Sequence, residues 1–518
     1  MKKKINYITG WSMAALLAVF TCRAEAQTSP AAIELIKAKR LWHQSENAAG
    51  AVIDDAQTFS QVSIGYDMTK GNFHRPQEGE SINQLRFNSE GSMKLNKSYV
   101  WGLFNYSRDN INDAGYNASL VDPFRGMPYY VVDEHQSNWR NQDYLLQFRA
   151  STPLYRGHWA MGIEGTYQAT MGAKQRDPRD DGRLMVLGIK PGILYSLDKH
   201  HIGAHFNYYS IKEESSMTNE GTSGLQQTYY ELYGLGVATV SYGSGRTTNY
   251  AGNNYGGGLE YGYDNDRFHL LVEGSFNAKV EDATVSFSTP RKEGTVKDKI
   301  WNGTVNLYTG NRYYTHFLKL GYENRHIDGI QYLTEWNNTA DEQGWITLYK
   351  NIRSTYKTQK AFAEYSIVAN RNDEYSWKAN AGINYIKYDD CYLIPASYKK
   401  SENLLFYVNG SKNFAFSEKL EKRLLVKASF AYNNNLSGKY QYGGAHADYI
   451  TVTELEQGDE NYLTSKYYRL GVSAVYSQKI NPEQKICLFA KANFNYTKTS
   501  DYDFNHRSYA SLSIGCNF

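Results

Sequence analysis

The chain has 518 residues, among them 46 tyrosines, 43 glycines and 10 prolines, and its formal net charge is +3. Lys2, Lys3, Lys4 and Arg23 against Glu25 account for that whole excess, so the chain after residue 26 is formally neutral. Neutrality gives no support for a nucleic-acid partner. The absence of any later run of about 18 apolar residues excludes a membrane-spanning helix.

The first residues have the organisation of a secretory signal peptide. Lys2–Lys4 form a basic region, Trp11–Phe20 form an apolar region, and Ala24 and Ala26 flank a glutamate in a small-x-small cleavage pattern. We therefore predict a signal peptide over residues 1–26. The mature chain is then expected to begin at Gln27.

A short amphipathic helix is predicted directly after the cleavage site. Ser29 and Pro30 suit the cap and first turn of a helix, and residues 31–42 combine spaced apolar side chains with basic ones. We assign residues 27–57 to a short helical segment. It either closes the periplasmic mouth of a barrel as a small hatch or forms a plain periplasmic tail.

From about residue 58 onward, apolar and polar residues alternate with period two, as in β-strands that have one apolar face. Residues 161–169, 377–385 and 470–476 are examples. Tyr468 and Tyr476 lie at the two ends of the apolar row Leu470–Ala474. Aromatic residues at the ends of apolar rows are typical of strands that face lipid.

The connections between these strands alternate between short and long. Short turns, such as residues 198–200 and 264–266, alternate with long polar links, including residues 110–140, 214–249, 327–356 and 434–463. This alternation is typical of periplasmic turns and extracellular loops. We predict an all-β fold over residues 58–518, an antiparallel up-and-down transmembrane β-barrel of about 18 strands (14 to 18) with both termini periplasmic. The links 214–249 and 327–356 each have room for an additional hairpin.

The last strand carries a resemblance to a known group of proteins. Leu512, Ile514, Cys516 and Phe518 share one face, and the chain ends on the aromatic residue. With the signal peptide and the alternating strands, this pattern resembles the outer-membrane β-barrel proteins of Gram-negative bacteria, and its tyrosine content is similar to that of uncharacterised barrels of the Bacteroides group. The resemblance implies an outer-membrane lipid environment and recognition of the last strand by the barrel-assembly machinery. Cys516 is the unusual member of the pattern.

Strand parity places charged side chains of both signs on the inner face of the predicted barrel. The candidates are Arg86, Glu90, Arg149, Glu164, Glu260, Glu273, Glu364, Lys378, Lys427 and Arg469. Such charges must be paired or hydrated in any barrel, so a structural network explains them as well as a selectivity filter does. Their mixed signs argue against a strong preference for anions or for cations.

No cofactor, metal site or enzyme activity is predicted. His201 and His205 lie four residues apart on a predicted strand, where the rise of about 3.3 Å per residue separates them by roughly 13 Å. They cannot bind one zinc ion together. Loop residues such as Asp133, His135 and His446 belong to no catalytic motif.

Three functions remain open from the sequence. The first is a passive channel or a ligand-binding transporter for small-molecule cargo. The second is a non-conducting accessory barrel of a larger transport or secretion complex, partnered by a neighbouring receptor or lipoprotein. A barrel-embedded hydrolase is the third, and it would need Ser, His and acidic side chains that converge near one rim.

Overall fold

The computed structural model describes residues 29–54, 58–219, 227–339, 343–481 and 486–518. The predicted signal peptide, with Ala24 and Ala26 at its cleavage site, lies outside the described residues.

Among the described residues, 18 strands form one closed antiparallel β-barrel, and three short strands form a separate sheet. The strands are β1 Phe59–Lys70, β2 Ser81–Leu95, β3 Ser98–Ala114, β4 Tyr130–Val132, β5 Ser137–Ser151, β6 Trp159–Lys174, β7 Arg179–Leu197, β8 His200–Thr218, β9 Thr228–Gly234, β10 Val237–Tyr242, β11 Gly245–Asp264, β12 Phe268–Val285, β13 Arg291–Gly310, β14 Tyr314–Asn337, β15 Gly344–Arg371, β16 Glu374–Tyr392, β17 Ser397–Ser417, β18 Lys422–Gln441, β19 Tyr467–Lys479, β20 Cys487–Lys498 and β21 His506–Asn517. The predicted fold class and strand number are confirmed.

The barrel closes where the first strand pairs with the last. β1 and β21 are antiparallel, with Val62 opposite Cys516, and the backbone N–H of Phe518 donates to the carbonyl of Ser60 at 2.9 Å. Leu512 and Ile514 point away from the lumen and are about 60% exposed (61% and 58%). Closure satisfies the backbone hydrogen bonds of β1 and β21, so neither is left as a free sheet edge.

The outer wall of the barrel is apolar and its inner wall is polar. On β1, Ile64, Tyr66 and Met68 are exposed, whereas Gly65 and Asp67 between them are buried. The same alternation continues around the barrel because strand side chains point to opposite faces in turn. Among the residues that the structure describes, none of the helices has the length and apolarity needed to cross a bilayer.

Several predicted long links are shorter than the sequence indicates, because the strands continue to pair beyond the alternating part. β14 reaches Asn337 and β15 begins at Gly344, so the link predicted over 327–356 is mostly a paired hairpin. Likewise, β3 reaches Ala114 and β18 reaches Gln441. Residues 345–351 of the β14–β15 hairpin are exposed on both faces. A strand that is solvated on both faces needs no alternation of apolar and polar residues, so the sequence does not mark it as a strand. The predicted boundaries of these long links were therefore wrong.

The link between β8 and β11 contains an additional hairpin, for which the sequence left room. Its strands, β9 and β10, join β4 in a three-stranded sheet that is not part of the barrel wall. The link between β18 and β19 contains a helix that the sequence analysis missed, α2 (Gln457–Thr464), preceded by a π-helical turn at Thr451–Glu456. Consecutive β-branched residues and a glycine have low helix propensity, which hid this element.

The N-terminal helix is confirmed and is slightly shorter than predicted. We name it α1, and it spans Pro30–Lys39. The Ser29 hydroxyl accepts from the backbone N–H of Ala32 at 3.2 Å, and Pro30 occupies the first turn, where its missing N–H costs nothing. Two 3₁₀ turns follow, at Trp42–Gln44 and Ala48–Val52.

Candidate functional site

Residues 29–54, called here the N-terminal segment, lie inside the barrel. The segment touches the wall on widely separated strands: Ser29 donates to Glu374 on β16, Lys37 pairs with Glu90 on β2, and Asn47 donates to Glu260 on β11. A short segment can reach all these inward-facing side chains only from within the lumen. It therefore occupies the end of the barrel where β1 begins.

Apolar contacts surround the N-terminal segment on all sides. The segment contributes Ala31, Ile33, Leu35, Leu41, Trp42, Ala49 and Ala51. Inward-facing residues of eleven strands pack against them, and we call these the apolar ring: Phe59, Tyr99, Trp101, Ala160, Leu194, Leu271, Phe317, Val368, Tyr375, Leu425, Val475 and Phe489. Burying one such side chain stabilises docking by roughly 1.5–3 kcal/mol.

The apolar ring is absent from the sequence-based predictions, although the sequence contains an indication of it. Strict alternation fails near one end of several strands, where two apolar residues follow each other, as at Leu270–Leu271 and Leu424–Leu425. In each pair one residue faces outward and the other, Leu271 or Leu425, is buried against the segment. Paired apolar residues at one end of barrel strands thus indicate that a segment with an apolar surface fills the lumen at that end.

Trp42 is the largest side chain that the N-terminal segment buries, with 2% exposure. A Cβ placed on Gly50 would lie 2.0 Å from its ring, and one placed on Gly262 of β11 would lie 2.7 Å from it. Both positions therefore need glycine so that the indole can lie flat against the backbone. The ring of His201 meets the indole edge-on, with centroids 6.5 Å apart.

Polar contacts between the N-terminal segment and the wall accompany the apolar ones. Glu34 forms an ion pair with Lys427 and accepts from the hydroxyl of Tyr375 at 2.7 Å. Arg149 donates to the carbonyl of His43 at 2.7 Å, and Lys319 donates to Gln44 at 2.6 Å. The segment is thus held by paired charges as well as by packing.

His205 lies at the densest of these polar contacts. Its Nδ1 atom contacts Glu260, whose other carboxylate oxygen accepts from Asn47 Nδ2 at 2.8 Å. Its Nε2 atom lies 3.4 Å from a carboxylate oxygen of Glu46, and the backbone N–H of Glu46 donates to Glu273 at 3.0 Å. One side-chain atom each of His205, Glu260 and Glu273 can be chosen so that all three lie within 4.8 Å of one another.

His201 belongs to a different group. It contacts the hydroxyl of Ser196 at 2.9 Å and lies 3.4 Å from a carboxylate oxygen of Asp264.

The ten charged residues that parity placed on the inner face fall into two groups. Five contact the N-terminal segment directly: Glu90, Arg149, Glu260, Glu273 and Lys427. The other five contact wall residues or border a cavity: Glu164 pairs with Arg149, Arg86 with Asp67, Glu364 accepts from Tyr407, Arg469 donates to Thr497, and Lys378 lines a cavity.

Burial changes two ionisable groups of the N-terminal segment. It raises the pKa of Asp54 to about 7, although the carboxylate accepts from the backbone N–H groups of Trp42 and His43. It also lowers the pKa of His43 to about 3, with a further contribution from the charge of Arg149. Docking of the segment is therefore linked to proton binding at Asp54.

The opposite end of the lumen is covered by loops. Residues 118–132, β9 and α2 with the turn before it bring Leu120, Tyr129 and Leu455 against inward-facing wall residues such as Tyr250. Arg125 pairs with Glu213 at 2.8 Å and with Glu281, and all three side chains are at least 93% buried. The described loops thus fold inward over this mouth.

Polar cavities remain between the segment and the wall. One of about 400 Å³ is lined by Lys378, Lys427 and Lys491 together with Glu34. Another, of about 330 Å³, is lined by wall residues, among them Arg86, Lys491 and Asp143 with several amide and hydroxyl side chains. The lumen therefore holds polar space beside the N-terminal segment.

Residues 48–518 match the model of DUF6850, described as a family of unknown function. The chain belongs to this family. No curated protein matches the sequence.

Several solved structures are similar in overall shape. The ferric citrate transporter FecA is 10% identical with a TM-score of 0.43, over 89% of this chain and 78% of that one. BauA, the ferric preacinetobactin receptor from Acinetobacter baumannii, is 9% identical with a TM-score of 0.41, over 89% and 80%. OpdK of Pseudomonas aeruginosa, solved with vanillate, is 10% identical with a TM-score of 0.35, over 90% and 99%. At TM-scores below 0.5, these likenesses contribute nothing to the assignment of a function.

Proposed function

We propose that the protein is an outer-membrane barrel that moves small polar molecules and that its N-terminal segment is the gate. The apolar outer wall suits a lipid environment, and the closed barrel leaves no unsatisfied strand edge in it. The start of β1 and the end of β21 lie at the same end of the barrel, and we assign this end to the periplasm.

The observation that carries this proposal is the position of the N-terminal segment within a polar lumen. The segment is joined covalently to the wall only through the residues that lead into β1. Its hydrogen bonds to Arg149 and Lys319 can be replaced by hydrogen bonds to water. The apolar ring favours the docked state, so the resting protein is closed. Release of the segment would join the polar cavities beside it into a continuous path.

The charges of the cavities indicate the class of cargo. Lys378, Lys427 and Lys491 line the larger cavity and are opposed by Glu34 alone, whereas Arg86 and Lys491 are opposed by Asp143 in the smaller one. A mixed polar lining suits hydrophilic solutes and gives at most a weak preference for anions once Glu34 has left with the segment.

Planar-bilayer conductance tests this function. Purified full-length protein should give little current, and a variant that lacks residues 29–54 should give steady current because its periplasmic mouth is open. Lys292→Gln is a matched control, because it alters an exposed ion pair with Asp282, away from the N-terminal segment. Heat-modifiable migration on gels shows that each variant forms a folded barrel. A folded deletion variant without current would contradict the proposal.

A non-conducting accessory barrel is the second candidate, and the inward-folded loops favour it. If the loops alone seal the lumen, removal of the N-terminal segment leaves the protein silent. Current should then appear only when Arg125→Ala is added to the deletion, since this substitution loosens the loop cover. Current from this double variant would identify a channel that is closed by its loops, whereas silence of this variant as well would support the accessory role.

A further inference from the structure

We propose that the larger polar cavity, of about 400 Å³, binds a solute that carries both an oxyanion and hydroxyl groups, such as a phosphorylated or carboxylated sugar. Glu34 of the N-terminal segment would hold the place of that oxyanion while the segment is docked. This inference rests on the proposed function, and it names the class of cargo and the way in which cargo opens the gate. The volume lies within the range of about 300–1,000 Å³ that is usual for small-molecule sites.

Three lysines from separate strands give this cavity its positive charge. Lys378 on β16 and Lys427 on β18 lie in one register row, since Ser411 on β17 is opposite both. Neighbouring strands are about 4.8 Å apart, so the backbones of the two lysines are about 10 Å apart. Lys491 on β20 lines the same cavity and interacts electrostatically with Lys427. The flexible four-carbon stems of lysine let ammonium groups at this spacing converge on one oxyanion.

The positive charge of the cavity is only partly compensated. Glu34 pairs with Lys427, whereas Lys378 and Lys491 form neither an ion pair nor a hydrogen bond with any residue that the structure describes. Both lysines are half-buried. Taking a charge partly out of water is unfavourable unless an opposite charge accompanies it. An oxyanion bound beside Lys378 and Lys491 would supply that opposite charge.

The next register row toward the loops is lined with amide and hydroxyl groups. Asn380 on β16 is opposite Asn409 on β17, which is opposite Ser429 on β18, and the row continues through Gly471 to Asn495 on β20. All five residues line the cavity. Amide and hydroxyl side chains both donate and accept hydrogen bonds, as the hydroxyl groups of a sugar do. The row therefore suits the hydroxyl-bearing part of the solute.

Glu34 connects solute binding to the gate. It lies on α1, pairs with Lys427 and accepts from the hydroxyl of Tyr375 at 2.7 Å. Among the described residues, it is the only acidic one that lines the cavity. An oxyanion that binds Lys427 competes with Glu34 for the same ammonium group. Binding of the solute therefore favours release of α1, and release of α1 strengthens binding of the solute by the same factor.

Calorimetric titration of the folded full-length protein in detergent micelles tests the site. The probes are glucose 6-phosphate and glucuronate, which carry an oxyanion together with hydroxyl groups. Glucose and inorganic phosphate are the reference compounds, because each carries only one of the two kinds of group. We expect at least one probe to bind about tenfold tighter than either reference compound, since a charge-assisted contact alone is sufficient for a difference of this size.

Substitutions separate this site from a general effect of charge. Lys378→Gln should weaken binding of the probe by about tenfold, because it removes one charge-assisted contact. Lys360→Gln is the matched control and should bind as the wild type does, since Lys360 faces a different cavity and pairs with Glu323 at 2.8 Å. Glu34→Gln should strengthen binding, because the competing carboxylate is lost. Glu34 lies outside the barrel strands, so this variant keeps the test decisive if a wall variant does not fold.

Protease cleavage of the N-terminal segment gives a second readout. The probe should accelerate cleavage in the wild type but not, at the same concentration, in Lys378→Gln. Absence of binding by both probes would overturn the proposal, as would unchanged binding in folded Lys378→Gln and Glu34→Gln. Unchanged or slower cleavage with bound probe would overturn the link to the gate.

These measurements do not depend on current. A deletion variant that conducts in a protein that binds neither probe would leave the proposed transport function intact and contradict only this class of cargo. Probe binding by a protein whose deletion variant is silent would support the site and contradict the transport function.

Discussion

At the scale of single residues, Trp42 depends on glycines from two distant parts of the chain. Gly50 belongs to the N-terminal segment itself, whereas Gly262 belongs to β11 on the wall. The indole can therefore lie flat only when the segment is docked in this one orientation. Gly262 on the wall thus helps to determine where Trp42 of the segment docks.

Gly262→Ala should loosen the N-terminal segment. The new methyl group would lie 2.7 Å from the Trp42 ring, and forcing extra atoms into a packed interface costs about 1–3 kcal/mol. We expect faster protease cleavage of the segment in the folded barrel. Gly274→Ala on β12 is the control, because a Cβ there meets no atom within 4 Å. Equal cleavage rates in the two variants would contradict this packing account.

Asp54 should make docking of the segment dependent on pH. The docked carboxyl has a pKa of about 7 against 3.8 for the free group, so the docked state holds a proton that the released segment loses. The contribution of Asp54 to docking is therefore fully present below about pH 4 and is lost as the pH rises to about 7, whereas His43, with a docked pKa of about 3, favours docking as the pH rises to about 6.5. Arg40 and Asp264 are the neighbouring charges, with opposing effects.

The dependence is measured as the rate of protease cleavage of the segment between pH 5 and 8.5, corrected for protease activity with an unfolded substrate. The ratio of the cleavage rate of the wild type to that of Asp54→Asn should rise with pH up to about 7, because the opposing contribution of His43 is common to both proteins. A rise of the same size in both proteins would exclude Asp54 as the cause.

Parity alone placed the charged inner-wall candidates, but it could not provide their partners. Glu90, Arg149 and Lys427 contact Lys37, the carbonyl of His43 and Glu34, and these contacts join residues between 53 and 393 positions apart. Strand periodicity fixes the direction of a side chain but not what fills the space in front of it. His205 is the clearest case, since its neighbours come from two other strands and from the segment.

At the scale of elements, one of the inward-folded loops is held to the wall by a buried cation. Arg125, in the link between β3 and β4, is the charge partner of both Glu213 on β8 and Glu281 on β12. It therefore ties a loop to two separate wall strands.

Arg125→Ala should release this loop. Two buried carboxylates would lose their partner, and breaking a buried ion pair costs about 3–5 kcal/mol. We expect rapid protease cleavage between residues 118 and 132 in a barrel that otherwise remains folded. Arg183→Ala, which removes an exposed pair with Asp181, should leave the cleavage rate unchanged. A protected loop in Arg125→Ala would mean that apolar packing alone holds it.

Element type was predictable wherever one face of an element meets a uniform environment. Strands between lipid and lumen alternate, and α1 carries a recognisable cap in Ser29 and Pro30. β9 and β10 pack against other loop elements, and α2 packs against the wall strands β17 and β18, so these elements meet mixed environments and have no simple period. Tertiary contacts in the apolar cluster that contains Leu232 and Leu455 fix these elements, and such contacts leave no local pattern.

At the scale of the whole molecule, the last strand completes the barrel. β21 pairs with β20 on one side and β1 on the other, and the contact of Phe518 with Ser60 extends that pairing to the final residue. We propose that Leu512, Ile514, Cys516 and Phe518 form the surface that the barrel-assembly machinery recognises.

Deletion of Phe518 should sharply reduce the amount of protein assembled in the outer membrane, because it removes both the terminal aromatic residue and the last backbone contact across the closure. Deletion of Ser288, in the exposed link between β12 and β13, should have little effect, since no barrel pairing involves it. The measurement is heat-modifiable protein in outer-membrane fractions. Assembly of the Phe518 deletion at the level of the Ser288 deletion would contradict the role of the last strand.

The β14–β15 hairpin gives the molecule a long reach. β15 has 28 residues. At about 3.3 Å per residue and a tilt of about 40°, such a strand rises roughly 70 Å, against an apolar band of about 25 Å for an outer-membrane barrel. Its tip would therefore stand roughly 40 Å above the lipid. A solute or a neighbouring cell-surface molecule would first meet a two-stranded arm that projects past the headgroups, far from the plane of the membrane.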